Sequence, residues 1–283
     1  MSKRDLLIAE VNKLKPTCII ITETHLKPAI SDSLVDITGY VLFRHDRTKG
    51  TGWGGVAIYV SHQLCGIPIQ ATLHPTYNCN IQVEALWLNL KYGHFEVIVA
   101  GVYRPTHYTF EDTDRSLFET IKKASAGKTP LLIMGDFNLP DLKWPLQNVD
   151  ADRYNTLHGY FVDMYVNSNL DQLVTCTTRK RNNEESLLDL ILCNEENLCS
   201  KVEYHPNIGK SDHLVLIATM QIDVQSSKKY CIPSQRRIFF KADYDEINKT
   251  LLENNVMELE CLDANIAWRN FSKIITLLKF MSP

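Results

Sequence analysis

Gly135-Asp136-Phe137-Asn138 follows the apolar run Leu131-Leu132-Ile133-Met134. A carboxylate and a carboxamide two residues apart at the exit of a buried strand point the same way, because side chains alternate along a strand. One can accept a proton from a water molecule and the other can hold that water, which suits hydrolysis of a phosphate ester. Asp and Asn also favour turns through local hydrogen bonds. The buried strand before them and the Phe between them argue against a casual turn.

Other residues of matching chemistry stand at the ends of other apolar runs. Asp189 lies inside Leu187-Leu188-Asp189-Leu190-Ile191, where a lone carboxylate is expensive unless it is paired. His213, in Ser211-Asp212-His213, is its natural partner, since a buried carboxylate fixes a histidine tautomer and raises its basicity. The bland alternatives are a strand-capping His213 and an Asp189 bonded to nearby backbone. Glu23 leaves the run Cys18-Ile19-Ile20-Ile21-Thr22. Mg²⁺ is commonly held by one or two carboxylates with water and substrate phosphate, so one Glu is enough; the alternative is an exposed Glu capping the next turn. Tyr103 and Arg104 end a long apolar run that Pro105 stops. A phenol can donate to a phosphoryl oxygen and a guanidinium can grip phosphate through two bonds, although a structural salt bridge fits Arg104 equally well.

These residues need strands to carry them. Strands are expected at Cys18 to Thr22, Tyr40 to Phe43, Val56 to Val60, Ile81 to Leu90, Phe95 to Tyr103, Leu131 to Gly135, Leu187 to Leu192 and Leu214 to Met220. Leu7, Val11 and Leu14 recur at helical spacing before Lys15-Pro16, and further helices are expected over Asp114 to Ala126 and Asp152 to Val166. Many strands with few helices between them imply an α/β fold of two packed sheets flanked by helices, over about residues 1–220. From Gln221 the composition turns polar and linker-like, and two helical patterns follow, one opened by Asp243 with Glu246 and one striped by Ala267, Phe271, Ile274, Ile275 and Leu278. Residues 221–283 thus read as a linker and helical tail.

The chain has 283 residues, is 45% hydrophobic and carries a formal charge of -3. No overall positive field advertises a polyanion partner, so a nucleic-acid role needs a local basic face. The 8 cysteines are scattered, without a C-x-x-C pair or zinc spacing, and Cys18 and Cys193 read as buried free thiols. Neither a secretory signal nor a membrane-spanning run is seen, so no membrane partner and a reducing intracellular compartment are expected.

Thr22-Glu23-Thr24, Val102-Tyr103-Arg104-Pro105, Gly135-Asp136-Phe137-Asn138, Ser186-Leu187-Leu188-Asp189 and Ser211-Asp212-His213, in this order, resemble the endonuclease/exonuclease/phosphatase superfamily. Thr22-Glu23-Thr24-His25-Leu26, Gly54-Gly55-Val56-Ala57-Ile58-Tyr59-Val60, Tyr103-Arg104-Pro105, and Leu139-Pro140-Asp141 with Trp144 resemble the endonuclease domains of LINE-type (non-LTR) retrotransposons, over roughly Arg4 to Met220. The resemblance implies a deoxyribonuclease-like four-layer sandwich and Mg²⁺- or Mn²⁺-dependent nicking of double-stranded DNA, in the nucleus, leaving a 3′ hydroxyl that primes reverse transcription. It implies Glu23 as metal ligand, and Asp136, Asn138, His213, Asp189, Tyr103 and Asp212 as catalytic residues, with His213 facing the scissile phosphate and Asp189 behind it. Arg104, Ser186 and Trp53 are the expected substrate contacts. Trp53 sits in Gly50-Thr51-Gly52-Trp53-Gly54-Gly55, which precedes a strand and not a helix, so a phosphate-cradling loop does not apply; a hairpin fits, with Trp53 touching DNA or simply packed.

The tail resembles the linker toward a reverse transcriptase, which would be a C-terminal partner in a longer polyprotein. The family's fold begins with a strand carrying an active-site Asn, and that strand would fall before Met1. Its loss would open a sheet edge and remove one polar ligand, at about 10²–10³ in turnover. Two other readings stand beside nicking: a phosphoesterase acting on phosphoinositide, sphingomyelin or abasic DNA, and a non-catalytic nucleic-acid-binding relic.

Overall fold

The computed structural model describes residues 3–47, 54–78, 83–106, 111–144, 146, 156–182, 184–195 and 197–222, with Lys249 and Glu253. Trp53 and nearly all of the expected helical tail lie outside the described residues. The chain divides into two compact units, Met1–Ile232 and Pro233–Pro283. The first unit runs α1 (Lys3–Leu14), β1 (Cys18–Thr22), β2 (Tyr40–His45), β3 (Val56–Ser61), β4 (Gln63–Leu64), β5 (Ile67–Leu73), β6 (Ala85–Tyr92), β7 (Phe95–Tyr103), α2 (Asp112–Ser125) and β8 (Leu131–Asp136). It continues with α3 (Leu157–Asn167), β9 (Asp171–Gln172), β10 (Arg179–Arg181), β11 (Glu184–Ser186), β12 (Asp189–Cys193), β13 (Cys199–His205) and β14 (Val215–Met220).

Mixed α/β architecture is what the sequence implies. The strands form more sheets than the two expected. A seven-stranded sheet has the order β4-β5-β6-β7-β8-β12-β9, a three-stranded sheet the order β1-β3-β2, and β10-β11 and β13-β14 are separate ribbons. Alternation along the strands gives the large sheet two apolar faces. Ile98, Ala100 and Val102 of β7 with Leu131 and Ile133 of β8 face Leu117, Phe118, Ile121 and Phe161 of α2 and α3. Val97 and Val99, Leu132, and Ile191 and Cys193 face the opposite way, toward Ile58 and Val60 of β3, Ile20 of β1 and Leu216 and Ala218 of β14. On the far side of the small sheet, Leu7, Ile8 and Val11 of α1 cover Ile19, Ile21, Ala57 and Tyr59.

Local signals set the helix ends. Asp114 in the first turn of α2 accepts from the Glu111 N–H at 3.2 Å, and Lys122 and Lys123 lie in its last turn, where cations complement the helix dipole. Thr156 caps α3 by accepting from Gly159 N–H at 3.2 Å. Each short sheet keeps an end strand: among the described residues β1 pairs only with β3 and β14 only with β13. None of the described helices is long and apolar enough to cross a membrane.

Candidate active site

The register of three strands builds one row of polar side chains. β7 and β8 run parallel with Tyr103 opposite Asp136, and β8 and β12 run antiparallel with Asp136 opposite Asp189. Cross-strand neighbours share a face, and this is the face that carries Val99, Leu132 and Ile191. The row therefore lies at one end of the interior between the sheets, where apolar packing gives way to polar groups.

Gly135 allows β8 to reach that end. Its φ is +152°, and a Cβ there would stand 1.8 Å from the Val102 carbonyl oxygen, so no other residue fits. Beyond Asp136 the strand stops. Asn138 converges on Asp136 through a left-handed backbone (φ 48°), not through the strand alternation expected from the sequence. Asn138 Nδ2 donates to Asp136 Oδ2 at 3.1 Å and to the Arg104 carbonyl at 2.8 Å, and Asn138 N–H donates to Asp136 Oδ1 at 3.0 Å. Asp136 is 4% exposed. Burial, and then the charge of Asp189 across the ladder, push its carboxyl up to about 7 against the pull of His213 and the Asn138 N–H.

His213 enters from the loop before β14, and its Nδ1 lies 2.8 Å from Asp189 Oδ2. Burial opposes charging of this ring, but the Asp189 hydrogen bond and the charges of Asp189, Asp136 and Asp212 outweigh it and hold the imidazole above its ordinary pKa. Thr178, fully buried, fixes both partners. Its Oγ1 accepts from Leu188 and Asp189 N–H at 3.1 Å, and its carbonyl accepts from Leu214 N–H at 2.7 Å. Asp212 is drawn to Arg179, whose Nε donates to its Oδ2 at 2.9 Å. Burial works against its ionisation, yet this bond holds its pKa below the ordinary value.

Glu23 is the first residue after β1, half exposed, with a left-handed backbone (φ 50°). Tyr103 donates its hydroxyl to Glu23 Oε1 in a short hydrogen bond. Burial first, then this bond, raise the phenol well above its ordinary pKa, so Tyr103 remains a donor. The turn holding Glu23 is anchored by Thr24 N–H to Gly55 O at 3.3 Å and His25 N–H to Gly54 O at 2.8 Å. A Cβ on Gly55 (φ +90°) would meet Thr24 Oγ1 at 2.7 Å. Gly55 N–H in turn donates to buried Glu84 at 2.6 Å, and Arg47 pairs with the same carboxylate while its guanidinium lies 5.8 Å from the Tyr103 ring centre.

Two expected substrate contacts are placed differently from one another. Ser186 is half-buried in β11 and lines a polar cavity of about 270 Å³ with Arg179, Arg181, Asn182 and Glu184; Arg179 forms an isolated bridge with His213. Arg104 is 2% exposed and bonded to Asp114 at 2.8 Å. Its guanidinium is committed to the protein interior in a salt bridge, the alternative weighed for it above. Thr178, Glu84 and Asp114 escaped sequence reasoning as site elements. Only Glu84 carried a signal, as an acid at the head of the apolar run Ala85-Leu86-Trp87-Leu88.

The profile of the Endonuclease/Exonuclease/phosphatase family matches residues 1–213. The chain belongs to this family. No match was found among curated proteins. Among solved structures, the fold is similar to the endonuclease domain of TRAS1, a telomere-specific non-LTR retrotransposon (TM-score 0.56, 16% identity, 76% of this chain and 90% of that one). It is also similar to the AP endonuclease LMAP from Leishmania major (TM-score 0.60, 14% identity, 77% and 82%). A third is the 3′ phosphatase NExo from Neisseria bound to product DNA hairpin (TM-score 0.52, 13% identity, 77% and 95%).

Membership carries the phosphoesterase activity typical of this family, and the donor set of the cluster described above fits a divalent cation. One donor atom each from Asp136, Asp189 and His213 lies within 4.8 Å of the others. Carboxylate oxygens without a thiolate suit hard cations, and Glu23, whose Oε1 accepts from Tyr103 of the same row, adds another such oxygen, while His213 Nδ1 is taken by Asp189. Burial first, and then the charge of Asp189, disfavour the ionised form of Asp136, and a cation beside it would favour that form.

Proposed function

We propose that this chain nicks double-stranded DNA by Mg²⁺- or Mn²⁺-dependent phosphodiester hydrolysis, as the endonuclease domain of a LINE-type element. The observation that carries the reading is the Tyr103–Asp136–Asp189 row with His213 bonded to Asp189 and Glu23 to Tyr103. Asp136 takes a proton from a water molecule whose other hydrogen is accepted by Asn138 Oδ1. The water oxygen bonds to phosphorus, the ester P–O3′ bond breaks, and the 3′ oxygen leaves as the hydroxyl after taking a proton from solvent water, while Asp136 returns its proton to solvent. His213, kept charged and oriented by Asp189, and the Tyr103 hydroxyl donate to the phosphoryl oxygens as negative charge builds there. A divalent cation held by Glu23 would supply charge neutralisation on the phosphate. Asp212 anchors Arg179, and the cavity of Arg179, Arg181 and Ser186 offers donors to a neighbouring phosphate. Residues 1–220 form the nuclease, acting in the nucleus, and residues 221–283 lead toward a reverse transcriptase.

The test is conversion of supercoiled plasmid to open circle by the purified chain. Nicking that needs Mg²⁺ or Mn²⁺, stops with excess chelator and vanishes in Asp136→Ala and His213→Ala supports the reading. Cleavage undiminished in chelator refutes it. Faster hydrolysis of phosphoinositide, sphingomyelin or abasic DNA assigns the site to a different phosphoesterase, and plasmid binding without cleavage leaves the non-catalytic reading.

A further inference from the structure

We infer that Arg104 and Asp114 act together as a positioning clamp for the Asp136–Asn138 turn, so that the first turn of α2 sets the geometry of the reacting water. The inference rests on the proposed hydrolysis at this site. Arg104 meets the turn from both of its ends. Its N–H donates to the Asp136 carbonyl at 2.8 Å, and its own carbonyl accepts from Asn138 Nδ2 at 2.8 Å. Its guanidinium doubles back: Nη1 donates to the Asn138 carbonyl at 3.1 Å and to the Phe137 carbonyl at 3.4 Å. Nε points at Asp114 Oδ1 at 2.8 Å, and both side chains are almost wholly buried (2% and 3% exposed). Asp114 Oδ2 is used as well, by the Glu111 N–H that begins α2.

These bonds have a specific task. Asn138 sits in the left-handed region, which asparagine enters more readily than other side chains but which regular strand pairing does not impose. The peptide oxygens on either side of that conformation are the atoms that Arg104 holds. With them fixed, Asn138 Nδ2 can reach both Asp136 and the Arg104 carbonyl, leaving Oδ1 toward water. A rigid planar fork is needed to serve two carbonyls and a carboxylate at once, and a lysine ammonium does not supply it. Asp114 cancels the buried charge and aims the fork, since a guanidinium left unpaired in this interior would shift toward solvent. Neither side chain touches substrate; both act through Asn138 and Asp136. A displacement of about 1 Å in such a constellation lowers turnover by about a hundredfold.

The experiment compares plasmid nicking by Arg104→Lys, Asp114→Asn and the double variant with wild type and Asp136→Ala, each checked for folding by circular dichroism. The expected result is a fall in kcat of about a hundredfold for Arg104→Lys and at least tenfold for Asp114→Asn, with KM within twofold of wild type. The double variant should fall no further than Arg104→Lys alone, because the pair works as a unit. Unchanged kcat in a folded variant, or a rise in KM with kcat intact, overturns the clamp. Should a variant not fold, hydrogen exchange in the wild-type chain decides. Arg104 Nε–H and the Asn138 side-chain amide should exchange far more slowly than exposed side-chain N–H groups, and solvent-like exchange of either overturns the inference. If Asp136→Ala nicks as well as wild type, the hydrolytic reading fails instead, and the exchange result still stands or falls alone.

Discussion

Replacing Asp189 by Asn isolates one bond of the site. The exchange preserves shape and removes a charge, and Asp189 and His213 are 15% and 26% exposed, so water cannot restore what is lost. A hydrogen bond to a charged group contributes about 1.5–3 kcal/mol, which is roughly ten- to hundredfold in a rate. A second effect adds to it. Asp189 raises the pKa of Asp136 by like-charge repulsion across the ladder, so its neutralisation makes Asp136 a weaker base. For His213 the sign is opposite to that of burial: the Asp189 bond raises its pKa while burial lowers it, so the variant leaves burial opposed by the charges of Asp136 and Asp212 alone. Nicking by Asp189→Asn should therefore fall ten- to several-hundredfold, with plasmid binding unaltered because affinity rests on Lys and Arg contacts to phosphates. In metal-free protein, NMR titration of the His213 ring should move to lower pH. A folded variant whose His213 midpoint stays put or rises would show that the 2.8 Å contact does not govern the imidazole, and the charged-donor role of His213 would have to be abandoned.

Two predictions concern the frame behind the site. Phe137, fully buried and edge-on to Phe161 at 5.8 Å, fills the core directly beneath the reacting turn. Phe137→Ala should cost about 3–5 kcal/mol and lower Tm by roughly 6–20 °C, and a Tm within a degree or two of wild type would contradict this packing. Cys193, 1% exposed, has its thiol pushed from 9.0 up to about 11, chiefly by burial. A raised folded pKa means that the unfolded chain ionises first, so this contribution is complete below pH 9 and is lost as pH rises toward 11. By pH 10 the loss is about 1.4 kcal/mol. Urea melts at pH 8 and 10 should show a smaller alkaline loss in Cys193→Ala than in wild type, and equal losses would remove the linkage.

Legibility in the sequence followed the length and purity of apolar runs. Cys18–Thr22, Phe95–Tyr103 and Leu131–Asp136 are continuous and end in polar residues, so both strand and functional exit could be read. β5 and β13 went unread because Ile67–Leu73 carries Pro68 and Gln70, and Cys199–His205 carries Lys201 and Glu203. Their burial pattern is that of end or half-exposed strands, where alternation is diluted. The pairing of Asp189 with His213 was legible from cost alone, since a carboxylate inside an apolar run demands a partner. Arg104 was ambiguous for the opposite reason: a guanidinium beside a strand end serves phosphate or carboxylate equally well, and only the fold brings Asp114 to it. Thr178 gave no signal, because a threonine in a polar segment looks the same whether or not its hydroxyl receives two backbone N–H groups.

Asp136 and Asn138 are held in place by different means. Asp136 is placed by the sheet: register with Tyr103 and Asp189 fixes it, and Gly135 presents no Cβ to push β8 off Val102. Asn138 lies past the end of the ladder, which stops at Asp136, and its backbone is left-handed, a conformation open to asparagine but not produced by strand pairing. Regular pairing therefore cannot place both halves of the water-holding pair. The first half follows from strand geometry and the second from Arg104, whose backbone continues β7 while its side chain reaches the turn. A single residue thus connects the sheet that places Asp136 to the helix whose Asp114 holds the Arg104 side chain. On that geometry, substitutions at the row should act on proton transfer, whereas substitutions at Arg104 or Asp114 should act on where the water sits.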